Sequence, residues 1–145
     1  MQVKSNDKEI NETIVPDIMK KDGVASFKEN ICPINDIYEV INKNPKNISW
    51  SERLVNTDSN SATLIHQMPG EGNRLHHHPY WNEWWFIISG EAEVQIGKNK
   101  YVAKRGDIIT FKKYVEHKIT VLGNVPCIRL AVAIDNMIHT YKMEK

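Results

Sequence analysis

The chain has 145 residues, 41% of them hydrophobic and 26% charged, with a net charge of +1 at pH 7. That length makes one domain with a real core, and the balanced charge without a dense Lys/Arg run excludes an electrostatic case for nucleic acid or membrane surfaces as partners. No stretch reaches the apolar length of a transmembrane helix. Cys32 and Cys127 stand far apart with no CxxC, and read as free thiols in a reducing cytoplasm, with a single disulfide as the alternative.

The opening residues, MQVKSNDKEINET, are polar and carry no apolar signal core, so a frayed, non-secretory start is expected. Ile10, Ile14, Ile18 and Met19 recur near helical spacing, but Pro16 interrupts them; a short or broken helix, or an arm, is expected there. Residues 23–32 (GVASFKENIC) suit an edge strand. Pro33 to Asp36 opens a helix capped by Asp36 or Asn35, with Ile37, Tyr38, Val40 and Ile41 inside it. Pro45 stops that helix. Residues 1–47 thus read as a partly helical extension packing on the remainder of the domain.

From residue 48 the grammar changes to short strands with evenly spaced turns. Strands are expected over 48–55 and 62–68, then at the histidines 76–78, over 83–89 and over 91–96, where Ala92, Val94 and Ile96 alternate with Glu91, Glu93 and Gln95. The turn 97–100 leads into 101–103, and further strands are expected over 107–111, 117–122 and 127–134. This count argues for an all-β barrel or sandwich over 48–138, with 139–145 as a tail.

The chemistry concentrates in Gly70 to Gly90, GEGNRLHHHPYWNEWWFIISG. Alternation along a strand puts His76 and His78 on one face, with Arg74 sharing their parity, and turns His77 away. From Glu83 the same rule sends Trp85 and Ile87 inward and Trp84, Phe86 and Ile88 outward; from His117 it sends Ile119 and Val121 inward. His76, His78, Glu83 and His117 then make a mixed N/O donor set suited to a divalent metal, with Fe, Mn, Ni, Zn or Co all eligible.

These residues resemble the two cupin motifs. The first is a glycine, five residues, His-x-His, a gap, a glutamate, six residues and a glycine; Gly70, His76, His78, Glu83 and Gly90 fit it without a step missing. In the second, Gly106 and His117 fit, whereas Lys112-Lys113-Tyr114 stands where Pro-x-Gly is usual and Val121 where Asn is common. The resemblance spans roughly residues 50 to 134 and implies a double-stranded β-helix, or jelly-roll, barrel. It also implies a homodimer, and metal-dependent activities that include dioxygenases, decarboxylases, isomerases and epimerases.

Two arginines are candidates to hold a substrate. Arg74 lies two residues before His76, where a guanidinium holds a carboxylate or phosphonate by paired hydrogen bonds. Arg129 shares a strand face with Cys127 and Ala131, opposite Ile128, Leu130 and Val132, and an arginine inside a barrel needs an anion. A salt bridge at a barrel end is the plain alternative for both. His66 lines the pocket only if its register allows. Tyr80, Trp81 and Asn82 belong to the barrel mouth; Tyr101, Lys112, Lys113 and Tyr114 are candidates to gate the entrance, with a solvated turn the plain alternative for the two lysines; His139 is assigned no role.

Four protein ligands leave coordination positions open, the mark of a catalytic metal. With no independent general base in view, the expectation is a non-haem Fe(II) oxygenase acting on a small anionic substrate, a carboxylate, phosphonate or phosphate. The alternatives are a metal-dependent isomerase, epimerase or decarboxylase, or a non-enzymatic small-ligand-binding protein, since fold does not fix function.

Overall fold

The computed structural model describes residues 29–78, 82–133 and 140–141. The expectations for the broken helix around Pro16, for Tyr80 and Trp81, and for His139 lie outside them. Of the 23–32 segment, β1 (Asn30–Ile31) is seen as a strand that pairs with β2 (Trp50–Asn56).

Asp36 caps the helix α1 (Ile37–Lys43): its carboxylate accepts from the N–H groups of Tyr38 and Glu39 at 2.9 and 3.4 Å. Those bonds satisfy donors that a helix start leaves open. At the other end the Asn44 side chain donates to the Val40 carbonyl at 2.8 Å, just before Pro45.

Antiparallel strands make up the rest. In chain order they are β3 (Ser61–Gln67), β4 (His76–His77), β5 (Glu83–Ser89), β6 (Glu91–Ile96), β7 (Asn99–Lys104), β8 (Ile108–Phe111), β9 (His117–Val121), β10 (Cys127–Ala133) and β11 (Thr140–Tyr141). One sheet has the order β1-β2-β3-β10-β5-β8 and the other β11-β4-β9-β6-β7. This is the all-β fold expected from the strand count, in the double-stranded jelly-roll form that the motif resemblance implies. No helix among the described residues is long and apolar enough to cross a membrane.

The core lies between the sheets, where Ile65, Trp85, Ile87 and Ala131 of the first meet Ala92, Val94, Ile119 and Val121 of the second. The outer face of the first sheet is covered as well: Val40, Ile37 and Ile41 of α1 pack with Leu54, Leu64, Ile88, Ile128 and Leu130. Burial on both faces explains why β3 and β10 carry apolar residues at successive positions instead of alternating with polar ones. The partial alternation of β2 has its own cause, a register shift between Arg53 and Val55 that tucks Leu54 under α1.

One boundary moves. Ile96 pairs with Asn99, so the hairpin is closed by Gly97 and Lys98 alone, and β7 begins two residues earlier than the polar run 97–100 suggests. Gly97, at φ 59, supplies the left-handed residue that such a tight turn requires.

Candidate metal centre

The strand register assembles the site. His76 of β4 is the direct cross-strand partner of His117 at the start of β9, and their rings lie 4.4 Å apart. The segment before β4 is tied to β9 by Gly70 N–H to the Val121 carbonyl at 2.9 Å, Val121 N–H to the Glu71 carbonyl at 2.8 Å, and Ile119 N–H to Asn73 Oδ1 at 2.9 Å. Gly72 bridges Thr120 so closely that a Cβ there would stand 2.0 Å from the Ile119 oxygen. Asn73 and Gly72 therefore hold the histidine strand in register.

His76, His78 and His117 are all buried, and one ring nitrogen from each lies within 4.8 Å of the others. Glu83, the first residue of β5, brings Oε1 to 3.1 Å from His78 Nε2 and 3.6 Å from His117 Nε2. Metal–ligand bonds of about 2.1 Å put donors about 3 to 4 Å apart. Two second contacts set the tautomers: His76 Nδ1 donates to the Arg74 carbonyl at 2.7 Å, and His117 Nδ1 to the Val115 carbonyl at 3.0 Å. Each leaves its Nε2 lone pair for a cation.

The protein atoms present fit a metal. His117 Nε2 and Glu83 Oε1 are buried without a well-formed hydrogen bond among the described residues, and polar atoms so placed are costly unless something else pairs them. Burial pushes the Glu83 carboxyl up, but His117 and His78 beside it outweigh this and hold it well below the usual carboxylate range. An ionised carboxylate among imidazoles is the ligand form. Apolar walls enclose the set: Phe111 packs 4.3 Å from both His117 and Trp85.

Strand parity places the neighbours. His77 is half-buried, its ring 6.4 Å from that of Tyr114. Trp85 and Ile87 are buried and Trp84 and Phe86 exposed. For Arg74 the parity argument lapses, because regular pairing begins only at His76; Arg74 is half-buried, and its carbonyl, not its position on a strand face, connects it to His76. His66 is off the site: it pairs with Ile128 in register and stacks on Trp50, ring centroids 5.2 Å apart, on the α1 side of β3.

Arg129 is buried inside the barrel. Its Nη1 donates to Gln67 Oε1 at 2.7 Å, and its guanidinium carbon sits 4.6 Å over the Trp85 ring. Burial lowers its pKa, opposed by the neighbouring Cys127 and Glu83. The Cys127 thiol is raised by burial, with Arg129 pulling the other way; both cysteines are free thiols. Gln67 is the residue that sequence reading missed. Its signal was a long polar side chain sharing the inward parity of Ile65.

The second motif's turn keeps its geometry without its usual residue. Tyr114 occupies the glycine position with φ 69, and its N–H donates to the His78 carbonyl at 2.9 Å. The bond clips this turn to the histidine strand, while Asn82 Oδ1 accepts from Lys113 N–H at 2.9 Å.

Comparison with known proteins agrees with this fold. A family model described as a cupin domain matches residues 63–133. An uncharacterized conserved protein with a double-stranded β-helix domain from Klebsiella pneumoniae superposes with TM-score 0.64 at 26% identity, covering 77% of this chain and 99% of that one. A predicted oxalate decarboxylase from Thermotoga maritima shares the fold with TM-score 0.55 at 23% identity, over 59% of this chain and 78% of its own. The DMSP lyase of Ruegeria pomeroyi does so with TM-score 0.53 at 22% identity, over 60% and 47%. No curated protein matches by sequence. By its motifs and by the winding of its strands alike, this chain belongs to the cupin superfamily.

Proposed function

We propose that this chain is a metal-dependent enzyme, a non-haem Fe(II) oxygenase that acts on a small organic anion. The observation that carries the reading is the buried cluster of three histidines with the Glu83 oxygen 3.1 and 3.6 Å from two of them. His76, His78, His117 and Glu83 hold the metal, leaving coordination positions for small molecules. Iron in such a set supplies redox chemistry with dioxygen.

The protein's own contribution is position and exclusion of water. Trp85 and Phe111 wall the ligands off from solvent, which strengthens every charge interaction inside. Arg129 supplies a buried positive charge near Glu83, and Arg74 stands next to the ligand strand as a second candidate for the anion. Proton transfer has less support: Glu83 is engaged with the histidines, and His66 points to the other face of its sheet.

Anaerobic purification with metal analysis, followed by oxygen-uptake assays with small carboxylates and phosphonates, tests this. Stoichiometric iron with substrate-dependent oxygen consumption is expected. Turnover without oxygen uptake replaces the oxygenase by an isomerase or decarboxylase, and a metal-free protein that binds ligand equally well ends the enzyme reading.

A further inference from the structure

We propose that the Arg129 guanidinium, anchored by Gln67 and laid on Trp85, is the carboxylate-binding element of the site, so that the ligand is a small organic acid held through a planar carboxylate. This deepens the reading of the centre as a small-anion site and rests on it.

The argument begins with charge. Arg129 is 3% exposed, and a buried guanidinium stays charged and needs a counter-charge with hydrogen bonds to match. It donates to the neutral Gln67, and the Cys127 thiol is a further neighbour without formal charge. Among the described residues no carboxylate forms an ion pair with it. Glu83 acts on it only through space, because its Oε1 is turned to His78 and His117. One buried positive charge is therefore left for a ligand.

The fork geometry narrows the ligand. Gln67 occupies Nη1, and Trp85 covers one flat face. Nε is buried without a hydrogen-bond partner among the described residues. A guanidinium presents Nε–H and one Nη2–H along a single edge, on the side away from Nη1. Two parallel donors in one plane match the two oxygens of a carboxylate. Stacking on the indole and the bond to Gln67 hold this plane, so the edge is organised before anything binds.

The experiment uses the Zn(II)-loaded full chain, which separates binding from oxygen chemistry. Glycolate, its neutral analogue glycolamide and hydroxymethylphosphonate are titrated by calorimetry, with the tryptophan fluorescence followed in parallel. Wild-type protein is expected to bind glycolate at least tenfold more tightly than either analogue. Arg129→Met should lose at least tenfold of glycolate affinity with zinc stoichiometry unchanged. Arg129→Lys, which keeps the charge but lacks the planar edge, should lose severalfold. Equal binding of glycolate and glycolamide by the wild type overturns the proposal without recourse to any variant. So does tighter binding of the phosphonate, or glycolate affinity in a folded Arg129→Lys or Arg129→Met protein within twofold of wild type. If glycolate binds as expected while no substrate drives oxygen uptake, the oxygenase reading fails and the carboxylate site stands.

Discussion

Oε1 of Glu83 lies 3.1 Å from Nε2 of His78, and both side chains are 2% exposed. A carboxylate so deeply buried is tolerated only where positive charge or donors meet it, and here His78 and His117 face it. The same cluster of imidazoles and carboxylate is a donor set that a divalent cation fits. We predict that His76→Ala and His117→Ala each abolish divalent metal binding while the barrel still folds, because the core between the sheets is aliphatic and aromatic. Metal analysis alongside far-UV circular dichroism checks this; full occupancy in both variants would remove the assignment.

Tyr114 carries a conformation suited to glycine, with φ 69. A side chain in that region costs about 1–2 kcal/mol, part of which glycine returns through its freedom in the unfolded chain. Tyr114→Gly is expected to raise stability by about 0.5–1 kcal/mol, or about 2–4 °C in Tm per kcal/mol at this size. Thermal unfolding of the metal-free protein measures it, and a lowered Tm would show that contacts of the tyrosine outweigh its backbone.

Two glycines separate strain from collision. Gly97 has φ 59 with open space around its missing Cβ, whereas at Gly90, φ 77, a Cβ would stand 2.2 Å from the Pro126 oxygen. Gly97→Ala should cost about 1 kcal/mol. Gly90→Ala should cost more, about 2–3 kcal/mol, because the turn between β5 and β6 must also move away from the chain entering β10. Urea titrations of the pair give the difference; equal costs would show that the close approach is relieved without loss.

His66 makes stability depend on pH. Burial lowers its pKa, with nearby Lys46 acting in the same direction and backbone hydrogen bonding opposing. A histidine that is harder to protonate folded than unfolded favours the folded state fully above the unfolded value of about 6.5. That stability is lost as pH falls through 6.5 toward the lower folded value. His66→Phe keeps an aromatic ring against Trp50 and removes the titration. Its unfolding free energy between pH 7.5 and 5 should therefore fall less than that of the wild type, and parallel curves would show that His66 is not a source of the pH dependence.

Much of this was legible in local patterns. The alternation in Glu91–Ile96 and Glu83–Ser89 reappears as buried Ala92, Val94, Trp85 and Ile87, because a strand's faces are set by its own period of two. The first motif's spacing likewise found His76 and His78, and the second motif's found His117. The hairpin boundary at Gly97 and the shift in β2 were less readable, since a turn's length and a bulge depend on the partner strand as much as on the residues themselves.

Taken alone, the sequence determined the strand-rich barrel, the capped helix at Asp36 and the three histidines that come together, because each rests on short-range periodicity or fixed spacing. Only the tertiary structure decided which face of β3 carries His66 and which carries Gln67, and so what a buried Arg129 touches. The Gln67–Arg129 bond joins residues 62 positions apart. Such a contact exists only once β3 and β10 pair in register, with Gln67 opposite Cys127 and Ile65 opposite Arg129, and a one-residue slip would have turned every one of those side chains to the opposite face.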